Sequence, residues 1–317
     1  MQHRGSDAGE DIDHMGPAYL DLGRVELEER AERAWSLLEN CRLCPRECGV
    51  NRLGEERGYC GSGQNPIVSS YNAHFGEEPP ISGDCGSGTV FFTNCNMKCV
   101  YCQNYPISQL GNGREVGLER LGRMMLDLEA RGCHNVNFVT PSHMVPQILK
   151  GLLTAVEGGL SVPLVYNSSG YDSVETLLLL DRVVDIYMPD SRYGSNYAAQ
   201  KYSDAPDYVE INRKALKEMH RQVGDLAVKG GVAERGILIR HLVLPNGLSE
   251  SRQVFDFIAR ELSPDTYMSL MDQYFPCYEA EGYPEISRKI SLEEYKDTLD
   301  AMWEFGLHRG WVQDHIG

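Results

Sequence analysis

Residues 88–108 read GTVFFTNCNMKCVYCQNYPIS, and the order of residue types in this stretch decides the fold. Thr89–Thr93 is a β-branched and aromatic run that predicts a strand. It runs into a loop with cysteines at 95, 99 and 102, a C-x3-C-x2-C spacing. The same rhythm repeats downstream. Strands are expected at Asn135–Val139, Val162–Tyr166, Val183–Met188, Gly236–Val243 and Thr266–Met271. Helical patterns lie between them, such as Leu118–Arg131, where Leu118, Leu121, Met125 and Leu128 recur at helical spacing before Gly132. The last helix opens on a capping box, Ser291 to Glu294, and ends at Gly306. Six strand–helix units imply an α/β fold with a parallel sheet and right-handed crossovers, hence a full or partial (β/α) barrel. Such folds bind ligands at the C-terminal ends of their strands. Polar residues gather there: Asn94–Cys102, Thr140–His143, Asn167–Gly170 and Asp190–Tyr193.

Upstream of the barrel, residues 1–20 are polar and rich in Gly and Asp, and read as a poorly ordered tail. Residues 21–80 read as a small module. It begins with a helix over Arg24–Asn40, with Val25, Leu27, Ala31, Trp35 and Leu38 on one side, and continues into a cysteine- and glycine-rich stretch. Residues 81–317 form the barrel. Thirty basic against forty-six acidic side chains give a net charge of −16, which works against attraction to nucleic acid or an anionic membrane. There is no apolar run of membrane-spanning length, and the N-terminus lacks the basic-then-apolar order of a secretory signal. A cytoplasmic chain is expected. Disulfides are rare there, so ten clustered cysteines point to metal.

Two cysteine groups carry that reading. Cys95, Cys99 and Cys102 can wrap three corners of a 4Fe-4S cubane, which leaves one iron open to an amino-carboxylate chelator such as the methionine end of S-adenosylmethionine (SAM). Structural zinc, the competing reading, prefers four ligands in paired knuckles. Tyr101 suits either contact with adenine or packing. Cys41-x2-Cys44-x3-Cys48-x11-Cys60 offers four thiols in twenty residues, for an auxiliary iron–sulfur cluster or for zinc. Cys133 reads as a small buried hydrophobe, whereas Cys85 precedes the first strand and Cys277 follows the sixth, positions from which either can approach the active-site face. Gly83-x-x-Gly86-Ser87-Gly88 precedes a strand instead of following one, so it is no dinucleotide fingerprint.

The cluster stretch resembles the signature of the radical SAM superfamily, in the branch of the pyruvate formate-lyase activating enzyme. The resemblance continues through NVNFVTPSHMVPQI (135–148), VYNSSGY (165–171), VDIYMPDSRY (184–193), IRHLVLPNG (239–247) and MDQYFPCY (271–278), and spans about residues 41–317. It is strongest to activating-enzyme homologues with an extra N-terminal cysteine motif. It implies a partial (β/α)6 barrel of the radical SAM type with a small N-terminal cysteine-rich module.

The cofactors it implies are a 4Fe-4S cluster and SAM, with flavodoxin or ferredoxin as electron donor. Where the family binds the SAM amino group with a Gly-Gly-Glu-like segment, this chain has Thr140-Pro141-Ser142-His143. The family's Asp-Thr-Asn-Gly-like turn is matched by Asn167-Ser168-Ser169-Gly170, and Met-x-Asp-x-Lys by Met188-Pro189-Asp190-Ser191-Arg192. These two ends jointly hold a monovalent cation in the family, and Asn167 removes one of the charges for it. Asp190 also suits a helix cap. Arg240 and His241 are adjacent on a strand, so one faces the barrel interior and the other the helices. His143, Arg240 and His241 are the candidate catalytic groups. The expected substrates are a backbone glycine of a glycyl-radical protein, or a small molecule or peptide modified with help from the second metal site. A non-catalytic iron–sulfur or zinc protein is the reading from another class.

Overall fold

The computed structural model describes residues 16–313. Of the expected tail, residues 1–15 lie outside this range, and residues 16–20 are ordered against the barrel. The Ala18 amide donates to Asp185 Oδ1 at 2.8 Å and the Tyr19 hydroxyl to the Val162 carbonyl at 2.9 Å. No helix among the described residues is long and apolar enough to cross a membrane.

Six parallel strands build the barrel: β1 (Ser87–Phe92), β2 (Val136–Val139), β3 (Leu164–Asn167), β4 (Ile186–Tyr187), β5 (Val232–Leu242) and β6 (Tyr267–Met271). They neighbour one another in chain order. The sheet does not close. A strand at Ile67–His74 pairs antiparallel with β1 at one edge, and Gly310–Val312 pairs parallel with β6 at the other. The architecture is therefore the expected partial barrel. The edge strand Ile67–His74 was not anticipated, because its polar middle, Ser69–Asn72, masks any alternation of apolar and polar residues.

Alternation along the strands divides the core in two. Val90, Phe92, Val136, Phe138, Leu164, Ile237 and Ile239 face outward into one large buried core beneath the helices. Val165, Ile186, Met188 and Leu238 face inward, where Ile81 of a short helix at Pro79–Ser82 plugs the barrel floor. Helix α1 (Arg24–Ser36) shares the large core through Leu27, Ala31 and Ala34, although Val25 faces solvent. The helix expected at 118–131 spans Leu118–Ala130, followed by Gly132 at φ 86°. The Ser291–Glu294 capping box is formed at the start of the last helix, Leu292–Glu304.

Candidate functional site

The loop after β1 stands at the barrel mouth with its cysteines inward. Cys95 and Cys99 are buried and Cys102 is half-buried. The loop is held by backbone bonds rather than by regular structure: Lys98 N–H to Ser203 O at 3.0 Å, Val100 N–H to Tyr202 O at 2.9 Å, and Glu279 N–H to Val100 O at 2.8 Å. Each sulfur is hydrogen-bonded. Met97 N–H lies 3.4 Å from Cys95 Sγ, while Arg192 Nη1 and Ser203 Oγ each lie 3.0 Å from Cys99 Sγ. Ser108 Oγ is 3.0 Å from Cys102 Sγ. Donors aimed at sulfur stabilise thiolate, the form that binds iron, and tune a cluster's potential. Burial, with the neighbouring Cys99 adding to it, pushes the Cys95 thiol up to about 12. A thiolate there needs positive charge beside it, which bound iron provides. The residues fit a 4Fe-4S cluster held by three cysteines.

Below this loop a chain of charges lines the barrel interior. Arg192 Nε and Nη2 donate to Asp190 Oδ2 at 2.8 and 2.5 Å. Arg240 Nε donates to Asp190 Oδ1 at 2.9 Å and its Nη2 to Asn167 Oδ1 at 2.7 Å. Deeper still, Glu77 Oε2 lies 3.7 Å from Arg240 Nη1, and Asn137 Nδ2 donates to Glu77 Oε1 at 3.2 Å. Burial pushes the Asp190 carboxyl up, but Arg240 and Arg192 outweigh it and hold the group below the usual carboxylate range. For Glu77 burial wins over Arg240, and its carboxyl rises to about 7. Tyr101, Cys102, Asp190, Arg192, Arg240 and Met271 line a pocket that runs from the cluster loop to this network. Gly170 permits the close approach of the β3 and β4 ends. Its φ is 71°, and a Cβ there would lie 2.1 Å from the Asp190 carbonyl oxygen.

A raised acid destabilises the fold as it ionises, so stability should fall as pH climbs from about 4.5 to 7 by on the order of 3 kcal/mol from Glu77. Glu77→Gln should flatten that part of a pH–melting profile; an unchanged slope would count against the assignment.

The structure sorts the sequence-derived candidates. Cys99, Asp190, Arg192, Arg240 and Asn167 form one connected set. Thr140 lies beside it with its amide on the Asn167 carbonyl at 2.9 Å, in a left-handed conformation (φ 59°) that a β-branched residue seldom adopts. Ser168 and Ser169 do not reach that set: Ser168 Oγ donates to Asp172 at 2.6 Å, and Ser169 is buried with its carbonyl on Tyr208. Ser142 is buried in the turn after Thr140. The Tyr101 hydroxyl bonds to Tyr193, and its ring meets Tyr274 edge-on at 5.6 Å, so its outer end is engaged in packing.

Of the strand pair, Arg240 faces inward and His241 outward. His241 bonds Ser191 O at 2.6 Å and Ser251 Oγ at 2.8 Å under the helices, and burial lowers it to about 4. The cofactor-contact reading of His241 is therefore corrected. His143 also leaves the interior. Its Nε2 bonds the Thr93 carbonyl at 3.0 Å, and the residue lies beneath the N-terminal cysteines. Cys85 sits at the N-terminal end of β1, opposite the mouth, and does not approach the site. Cys277 does approach it, with Sγ 3.3 Å from the Tyr101 carbonyl.

Glu77, Asn137, Ser108 and Ser203 were missed. Asn137 was legible as a polar residue in mid-strand. Glu77 gives no local sign, because a loop from outside the six strand units carries it into the barrel.

Cys41, Cys44, Cys48 and Cys60 come together around one small cavity beside the cluster loop. Arg46 ties the two loops, donating to the Asn96 carbonyl at 2.9 Å while its guanidinium lies 3.7 Å from the Tyr59 ring centre. Among the described residues, no three His, Cys, Asp or Glu side chains are drawn together as for a single metal ion.

No family model matches the chain. The crystal structure of HydG, described as a maturase of the [FeFe]-hydrogenase, aligns over 93% of this chain and 64% of that one, with a TM-score of 0.50 and 12% identity. That likeness shows the fold, a partial barrel of the radical SAM type. The uncharacterized protein MJ0808 of Methanocaldococcus jannaschii is 22% identical over 281 residues, 80% of this chain and 78% of that protein. The uncharacterized protein MJ0674 of the same organism is 32% identical over 304 residues, 94% of this chain and 82% of its own length. At that identity and coverage, the chain belongs to the family of MJ0674.

Proposed function

We propose that this protein is a radical SAM enzyme. The observation that carries the reading is the placement of Cys95, Cys99 and Cys102 at the C-terminal end of β1, each sulfur hydrogen-bonded, above a charged interior pocket. A 4Fe-4S cluster bound there would pass one electron to the sulfonium of SAM, yielding methionine and a 5′-deoxyadenosyl radical. The chain's own residues bind, orient and exclude. Arg240 stands between Asn167 and Asp190, the two strand ends that in the resembled family hold a monovalent cation. Its guanidinium supplies that positive charge permanently and suits a carboxylate such as that of the methionine end. Arg192 links Asp190 to Cys99 Sγ, so the charge network and the sulfur belong to one hydrogen-bonded chain. The apolar plug around Ile81 and Met188 closes the barrel floor against water.

Anaerobically reconstituted, reduced protein should convert SAM to 5′-deoxyadenosine and methionine, followed by chromatography. Failure both to bind and to cleave SAM would leave only the non-catalytic metal-protein reading. For the substrate, resemblance to the activating enzymes supports a backbone glycine of a glycyl-radical protein, with flavodoxin or ferredoxin as electron donor. A glycyl doublet in the electron paramagnetic resonance spectrum of a candidate partner tests this; its absence across candidates would overturn it. A second reading, a small molecule or peptide substrate, is favoured by the four-cysteine loop seated against the cluster loop. Isolation of a modified product would decide for it.

A further inference from the structure

We infer that Cys41, Cys44, Cys48 and Cys60 surround a second, thiophilic metal centre to which His143 of the barrel contributes its Nδ1 as a ligand. The four cysteines and His143 line the same small cavity. His143 is 1% exposed, and its Nδ1 has no hydrogen-bond partner among the described residues. Its Nε2 faces the Thr93 carbonyl at 3.0 Å. A carbonyl only accepts, so Nε2 carries the proton and the neutral ring keeps its lone pair on Nδ1. A buried imidazole that donates one N–H to a backbone carbonyl and leaves its other nitrogen bare has the arrangement of a metal-ligating histidine. His241, equally buried, provides the contrast: both its nitrogens are bonded, as a packing histidine requires.

Charge gives a second, independent argument. Arg52 lines the cavity and is 1% exposed, yet among the described residues its guanidinium reaches only carbonyl oxygens, those of Gly63 at 2.7 and 3.1 Å and of His143 at 2.8 Å. A buried cation without a counter-charge is costly. The one carboxylate on the cavity lining, Glu47, is exposed. A centre bound by thiolates carries net negative charge and supplies the missing partner. Both an iron–sulfur cluster and a single zinc meet these conditions chemically, the zinc once the side chains draw closer together than they stand among the described residues. Five donors exceed the four that either takes, so the imidazole nitrogen leaves one thiol outside the coordination shell.

The ligand also couples the two cysteine loops. Thr93, the partner of His143 Nε2, lies two residues before Cys95. Loading the N-terminal site therefore fixes the backbone that enters the cluster loop.

The test uses full-length protein with Cys95→Ala, Cys99→Ala and Cys102→Ala, so its outcome is independent of the radical reading. The variant is purified anaerobically and supplied with iron and sulfide or with zinc. Metal is then counted, and X-ray absorption is recorded at the edge of the bound element. One nitrogen among the sulfur ligands is expected, and for reduced iron–sulfur protein a nitrogen modulation in spin-echo experiments. His143→Gln, which keeps side-chain bulk, should abolish the nitrogen signal and weaken metal retention against a chelator at least about tenfold. A sulfur-only shell in the parent, a shell unchanged by His143→Gln, or no bound metal would each overturn the inference. If His143→Gln fails to fold, the parent spectrum alone decides.

Discussion

Replacing Cys95, Cys99 and Cys102 together with alanine is expected to reduce 5′-deoxyadenosine formation to the background of protein-free mixtures, with loss of four irons per chain. The expectation follows from ligand chemistry. Three thiolates hold the cluster, and no other thiol among the described residues stands ready to replace them. Cys277 approaches the site, but its sulfur is turned to the Tyr101 carbonyl. The N-terminal cysteines lie across the Arg46 contact in a cavity of their own. Metal at that second site should therefore persist in the triple variant. Arg192→Met probes the same sulfur from outside. It removes the 3.0 Å donor to Cys99 Sγ and frees Asp190 from one partner, and should lower activity by about 10–100-fold with the cysteines intact. Full cleavage activity in the triple variant would defeat the proposed function, whatever the iron count.

Arg240→Leu should produce the largest loss of stability among single substitutions in the barrel. Its side chain is 17% exposed and that of Asp190 6%, so the pair is held largely away from water. Removing one partner of such a pair leaves the other charge uncompensated, at a cost of about 3–5 kcal/mol. For a chain of this size that corresponds to a fall in melting temperature of roughly 4–8 °C. Asp190→Asn on the same background should recover part of the loss, because the stranded charge disappears with it. The pH dependence has a definite sign. Arg240 and Arg192 depress the Asp190 carboxyl in the folded state. Their contribution is therefore present above the ordinary carboxylate range and lost as pH falls through the depressed value. Arg240→Leu should shrink this acid-side loss, and calorimetric melting between pH 3 and 7 would register it. A melting temperature unchanged by Arg240→Leu would mean that the network contributes no net stability.

Much of this architecture is local and therefore legible in residue order. Each barrel strand was recognisable from a β-branched run, and each boundary moved by only a few residues, because strand ends are set by pairing with neighbours rather than by the strand itself. The cluster loop was legible for a different reason. Three cysteines at short spacing after a strand restrict the chemistry before any fold is known. The edge strand Ile67–His74 was hidden, since its identity as a strand comes from its ladder with β1 and not from its own pattern.

By itself, the sequence determined the order of strands, the parallel sheet, the positions of both cysteine groups and the side of the barrel on which polar residues gather. These follow from periodicity and spacing, which act over a few residues. Only the tertiary structure decided which of two adjacent side chains, Arg240 or His241, meets the interior, because strand phase depends on what covers each face. It also brought Glu77 to Arg240 and Asn137, and His143 to cysteines more than eighty residues away. Contacts of that range leave no mark in local pattern. They are made when the loops close over the barrel.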